Sequence, residues 1–284
     1  MILNHPRAEQ NTYGLLDRFE ELQLGRYNRE SNQPATNFLP WFSGPLRSDQ
    51  ELISVSKSYL EKPLGILTDH DLLSKIQLKT TTDFSLSVIT EWDTQSQISL
   101  KPDSRLADTL EKTLELLKIC DPLLLRLIER CIKLIVPITH ELNGVPTKRG
   151  FSSHKCFGMV FLTFYSQFDP EVELSIDLVH EVGHHCLMLL QYIDRIIEGD
   201  QTAPVYSSVR KVERPAIMAF HALVAGHFMI RFMDSYRLAY SSDLLVDRSE
   251  HLRENQVLCM RDLEKTCKFT KIGQSILNEI KDAL

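Results

Sequence analysis

Apolar residues recur at helical spacing through most of the second half of the chain. Leu106, Leu110, Leu114 and Leu117 form one stripe, which predicts a helix from a cap at Asp103 or Ser104 to about Ile119. Asp121-Pro122 starts a second helix, to about Leu134, joined to the first by a very short turn. Leu123 to Val136 is the most apolar run, but Arg126, Glu129, Arg130 and Lys133 punctuate it, so it reads as a core helix. Val136 to Leu142 fits a short strand and Asn143-Gly144-Val145-Pro146 a turn. Phe157 to Phe164, short, apolar and aromatic, is the clearest strand, with an edge that could hold an extended peptide.

Asp169-Pro170 then opens an apolar helix. Glu171 and Glu173 favour its positive end, Ile176 to Ile197 forms its body, and Gly199 marks its close. Arg214-Pro215 opens a helix to about Leu238 whose first half is apolar nearly all round and therefore buried. Two amphipathic helices follow, Arg248 to Thr266 and Ile272 to Leu284. Earlier in the chain, Tyr13 to Leu24, Arg47 to Glu61 and Thr68 to Leu78 have helical spacing, Asn32 to Pro45 reads as loop, and Phe84 to Trp92 suits a strand. The expected fold class is mainly α with a small β component. In it a metal-binding helix packs on a short sheet and a second buried helix, as in a zincin-like core. Residues 1–100 form a mixed region suited to peptide docking, and 101–284 a helix-rich catalytic unit.

Composition narrows the function. The chain has 284 residues, a formal net charge of −6 and no basic patch, which speaks against nucleic acid as a partner. No stretch reaches the ~18 uninterrupted apolar residues of a membrane span, and Met1 to His5 lacks the basic-then-apolar start of a secretory signal. Six scattered cysteines without a CxxC pair fit reduced thiols. The expected location is the cytoplasm.

The candidate chemistry lies in His180-Glu181-Val182-Gly183-His184, an HExxH pattern within the apolar helix. Residues four apart share a helix face, so both imidazoles can reach one metal ion with Glu181 beside them. A polar trio in a buried helix is costly unless it has partners. A catalytic metal needs a third donor. His221 and His227 lie on the following apolar helix. His221 is the preferred candidate, and six residues of rotation carry His227 away from it. Glu213 is a competing carboxylate donor at the mouth of that helix. The extended HExxHxxGxxH pattern is absent, because Leu187 and Leu190 occupy its Gly and His positions. His185 suits an orienting role, and Cys186 faces another side of the helix. If the metal is zinc, Glu181 is the general base of a metallopeptidase.

The stretch from Phe157 to Phe232 resembles a family of HExxH-domain proteins from peptide natural-product clusters, the 2-oxoglutarate-dependent peptide β-hydroxylases. The matching elements are the Gly158-bearing strand, Leu178-Val179-His180-Glu181 with His184, the run Tyr206 to Arg210 ending in Arg214-Pro215, and the apolar helix with His221. Val209 stands where the family often has Trp, and Val212-Glu213 where it has Asp-Pro. The resemblance implies Fe(II) held by His180, His184 and His221, with 2-oxoglutarate as cosubstrate. It also implies a ribosomally made precursor peptide as substrate, hydroxylated on a side-chain β-carbon. A planar, permanently charged arginine suits the distal carboxylate of the keto acid; Arg214 is preferred and Arg210 is the alternative. Glu181 would then hydrogen-bond a ligand or the substrate.

Overall fold

The computed structural model describes residues 64–66, 96–100, 105–142, 145–146, 150–152, 158–164, 169–191 and 194–284. They are mostly helical, with a smaller sheet component, in line with a mainly α, α+β class. The expected elements at Tyr13 to Leu24, Asn32 to Pro45, Arg47 to Glu61, Thr68 to Leu78 and Phe84 to Trp92 fall outside the described residues, as does the cap at Asp103 or Ser104. The described residues divide between two compact units. One contains the larger sheet with residues 105–116, 126–131 and 170–177; the other contains 117–125, 178–191 and 194–284.

The sheet is organised on β3 (Leu134–Leu142). β1 (Gly65–Ile66) pairs parallel with its start, and β2 (Ser96–Leu100) antiparallel with its second half, Leu100 opposite Ile138. β4 (Val145–Pro146) folds back on its end. On the other side β6 (Met159–Thr163) runs parallel to β3, Leu134 opposite Met159, and β5 (Gly150–Ser152) pairs antiparallel with β6. All five residues of β6 are buried, as expected of an interior strand. Val160 to Leu162 are paired on both sides, so the expected peptide-holding edge is taken by β5.

Helix α1 (Arg105–Cys120) and helix α2 (Pro122–Cys131) join at Asp121, as the Asp-Pro signal predicts. The Asp121 carboxylate accepts from the backbone N–H groups of Leu123 and Leu124, capping α2. The same carboxylate takes a two-pronged bond from Arg231, Nε at 2.6 Å and a terminal nitrogen at 3.1 Å. Helix α2 stops at Cys131, short of the expected Leu134. Residues 134–136 belong to β3, where β-branched Ile135 and Val136 pack in a fully buried ladder against β6.

Helix α3 (Pro170–Gln191) carries the HExxH pattern. It ends well before Gly199, because Asp194 accepts the backbone N–H of Ile196 at 2.6 Å. Ile196 takes a left-handed φ of 64°, and the chain enters β7 (Ile197–Glu198). β8 (Pro204–Tyr206) and β9 (Glu213–Pro215) form a hairpin, with Val205 opposite Arg214. Helix α4 (Ala216–Tyr240) follows, its first two amides bonding to the carbonyls of Ala203 and Gln201. It is, among the described residues, the one helix long and apolar enough to cross a membrane, and 83% of that stretch is buried inside the protein.

Helix α5 (Val246–Thr266) lies antiparallel on α4: Gln256 donates to the Leu223 carbonyl, and Cys259 to that of Ala219. β10 (Lys268–Phe269) pairs with β7, and helix α6 (Lys271–Ala283) closes the described chain. Thr270 caps α6 by accepting from Gly273 N–H, and its hydroxyl donates to Asp194. Gly273 lies so close to the Ile196 carbonyl that a Cβ there would fall 2.2 Å from the oxygen.

The approach of α3 to α4 is set at Gly183. A Cβ on Gly183 would lie 2.8 Å from Cα of Ala225, a backbone atom that cannot swing aside. On helix propensity alone, Gly183→Ala stabilises by up to ~1 kcal/mol. Steric overlap in a packed helix contact outweighs this, so Gly183→Ala is expected to destabilise by about 1–3 kcal/mol in urea unfolding. An unchanged or raised midpoint would show that the two backbones are not in contact there.

Candidate metal centre

Three imidazoles meet where α3 and α4 cross. His180 and His184, one turn apart on α3, have their Nε2 atoms 3.0 Å apart. His221, on α4, brings its Nδ1 to 3.3 Å from Nδ1 of His184. The central ring of His184 thus has one neighbour on each nitrogen. The ring centroids are 4.6 Å apart for His180 and His184 and 5.4 Å for His184 and His221. His180 and His184 keep part of their surface open, while His221 is buried.

The outer nitrogens of the cluster have acceptor partners. His221 Nε2 donates to Oε1 of Gln191 at 2.9 Å, and His180 Nδ1 lies 3.3 Å from Sδ of Met229. Gln191 and Met229 were not anticipated from the sequence. The signal is positional: residues 180, 184 and 191 fall on one face of α3, and 221, 225 and 229 on one face of α4. An antiparallel crossing at Gly183 and Ala225 then sets His180 against Met229 and His184 against His221.

Among the described residues no group of three or more His, Cys, Asp or Glu side chains is disposed to hold a metal as it stands. His221, the expected third ligand, lies beside Nδ1 of His184, the nitrogen opposite the one that faces His180. The donor set nevertheless suits a cation: imidazole nitrogens are good transition-metal donors, and the Nε2 atoms of His180 and His184 converge to 3.0 Å. Burial holds the His184 pKa well below the usual imidazole value, aided by the neighbouring His180, His221, His185 and Arg214, so the ring disfavours a second proton.

The remaining predicted residues divide clearly. Glu181 is buried on α3, and its carbonyl accepts from Nδ1 of His185 at 2.8 Å. His185 is wholly buried in that role, and burial lowers its pKa to about 4. Arg214, on β9, is half-buried and contributes to the field at His184. Arg210 lies exposed in the β8–β9 turn. Glu213 is exposed and paired opposite Tyr206 in the hairpin. His227 points into other surroundings, edge-on to Phe228 and near charges of α4, α5 and α6. Cys131, Cys186 and Cys259 are buried and Cys120 and Cys267 half-buried, and none of these five is in a disulfide.

No protein-family model matches the chain, and no curated protein matches it significantly.

His227 gives this unit a testable acid limb. Its Nε2 is buried without a hydrogen-bond partner among the described residues. Burial, reinforced by Arg231 and Arg253 and opposed by Glu279 and Asp234, lowers its pKa from 6.5 to about 4. The unfolded chain therefore binds a proton that the folded chain refuses between pH 6.5 and 4. The stabilising contribution is complete above that window and is lost as pH falls through it, with a slope of up to about 1.4 kcal/mol per pH unit. Replacing His227 with Phe is expected to flatten the stability profile in that interval by up to one proton, measured by denaturant unfolding across the range. An unaltered slope would place the titrating group elsewhere.

Proposed function

We propose that the protein is an Fe(II)- and 2-oxoglutarate-dependent oxygenase that hydroxylates a side-chain β-carbon of a ribosomally made peptide. A zincin-like core around the HExxH helix is part of this reading. The observation that carries it is the meeting of His180, His184 and His221 at one crossing, with a half-buried Arg214 in the same electrostatic neighbourhood. The ordered resemblance from the Gly158-bearing strand to the His221 helix supplies the reaction class.

His180 and His184 would hold the ion through their Nε2 edge; His221 is the third ligand in this reading and would have to swing from the Nδ1 side of His184 to reach it. Imidazole suits iron, and a centre with three protein ligands would leave room for a chelating keto acid and dioxygen. Bound iron would supply the redox chemistry that lets dioxygen attack an unactivated C–H bond. The overall reaction balances as peptide C–H, O2 and 2-oxoglutarate giving peptide C–OH, succinate and CO2. Arg214 binds the distal carboxylate of the cosubstrate; its planar fork matches two carboxylate oxygens, and its charge is permanent. Glu181, acceptor-only when ionised, orients a hydrogen-bond donor beside the ion.

The test is anaerobic reconstitution with Fe(II) followed by titration with 2-oxoglutarate. A visible charge-transfer band that appears with the keto acid supports the oxygenase. Absence of the band, with zinc retained and peptide bonds cleaved, replaces it with a metallopeptidase in which Glu181 is the general base. Within the oxygenase reading, Arg214→Ala is expected to raise the 2-oxoglutarate KM by about tenfold or more, the scale of a lost charge-assisted pair. Arg210→Ala should stay within about twofold of wild type, as befits an exposed surface charge. The reverse order would move the cosubstrate site to the β8–β9 turn.

A further inference from the structure

The β8–β9 hairpin carries Arg214 but is gripped from α5. In the hairpin Val205 lies opposite Arg214, and Tyr206 opposite Glu213. Bonded and open pairs alternate along an antiparallel ladder, and Ser207 donates to the Val212 carbonyl, so Tyr206 and Glu213 form an open pair. The Tyr206 N–H therefore points away from β9 and needs an acceptor outside the hairpin. Asp262, on α5, supplies it: its Oδ2 accepts that N–H at 2.8 Å. The Tyr206 hydroxyl donates to Oδ1 of Asn255 at 2.5 Å. Asn255 is buried and donates in turn to the His251 carbonyl of its own helix at 2.6 Å. One residue of β8 is thus held twice by α5, from 56 and 49 positions along the chain. Residues directly opposite each other share a face of the ladder, so Arg214 lies on the same face as Val205, which is wholly buried. The Arg214 Nε atom is buried as well.

We propose that Asp262 is a positioning residue for Arg214: by fixing β8 at Tyr206, it sets where β9 presents the guanidinium. An isolated two-stranded ribbon is marginally stable in water, and strands of three residues each make a poor platform for a charge that must meet a carboxylate with two prongs. This ribbon is tied down at both ends instead. On the helix side, the first amides of α4 bond to the carbonyls of Ala203 and Gln201. On the turn side, one ladder pair from Arg214, the Asp262 carboxylate takes the outward N–H of Tyr206 in a charge-assisted bond. Arg214 sits between the two ties. The inference rests on the reading of Arg214 as partner of the cosubstrate carboxylate, yet how firmly its side chain is held is a property of the metal-free protein.

The test uses the full chain in two forms. In the metal-free protein labelled with 15N-arginine, hydrogen exchange of the Arg214 Nε–H, identified by its loss in Arg214→Lys, reads how firmly the guanidinium is held. In the iron-loaded protein, steady-state kinetics read the 2-oxoglutarate KM against kcat. Asp262→Ala should speed the exchange about tenfold and raise KM about three- to tenfold, the scale of one lost hydrogen bond, with kcat within about twofold of wild type. Asp262→Asn keeps a carbonyl acceptor for the Tyr206 N–H and should restore both readouts to within about twofold of wild type. Tyr206→Phe, which loses only the bond to Asn255, should move both readouts in the same direction as Asp262→Ala, and it carries the test if that variant does not fold. Exchange at Arg214 left unchanged by Asp262→Ala and Tyr206→Phe, or Asp262→Asn as impaired as Asp262→Ala, overturns the proposal. Exchange that responds as expected in a protein that never binds 2-oxoglutarate sinks the oxygenase and leaves the role of Asp262 standing.

Discussion

The arrangement of the candidate centre depends on backbone contact between two helices. At Gly183 no side chain separates α3 from α4, and a Cβ there would overlap Cα of Ala225. Once that pair is fixed, the antiparallel run of the helices sets every other partner. His180, before the contact, meets Met229; His184, just after it, meets His221; Gln191, two turns on, reaches His221 from the other side. The glycine in the HExxH pattern is therefore part of the geometry of the site, although it carries no reactive atom.

Much of this was legible in the sequence. The HExxH helix, the apolar α4 and the Asp121-Pro122 junction are local patterns, and the physics that makes each of them acts within a few residues. His221 could be singled out because a polar ring on an all-apolar helix requires a partner. What was hidden needs the register between elements. Gln191 and Met229 look like ordinary positions until the crossing point is known. The end of α3 was obscured because Leu187, Leu189 and Leu190 continue the apolar pattern to the last turn, while the stop comes from the Asp194 carboxylate bonding to Ile196. Residues 134–136 suit a helix by hydrophobicity and a strand by β-branching, and pairing with β6 decides between them. The same pairing, completed by β5, removes the free edge that an isolated look at Phe157 to Phe164 suggests.

Buried charge is handled differently at the two ends of α4. Toward its start, burial holds the pKa of His184 low, and the neighbouring imidazoles and Arg214 add to the effect. Farther along, Arg231 is matched by the carboxylate that also caps α2, so one aspartate satisfies two backbone amides and a guanidinium. Asp234 similarly accepts from both Arg253 and Ser249 on α5.

The start of α6 has a consequence for the order of events in the cell. The segment that leaves α3 is held by partners supplied from 76 residues further along the chain: the Thr270 hydroxyl on Asp194, the Thr270 amide on the Ile196 carbonyl, and Gly273 packed against that same carbonyl. During synthesis the HExxH helix emerges long before these residues do. Its downstream turn stays unlatched until residues 270–273 have left the ribosome. A nascent chain stalled before residue 270 therefore lacks the clasp.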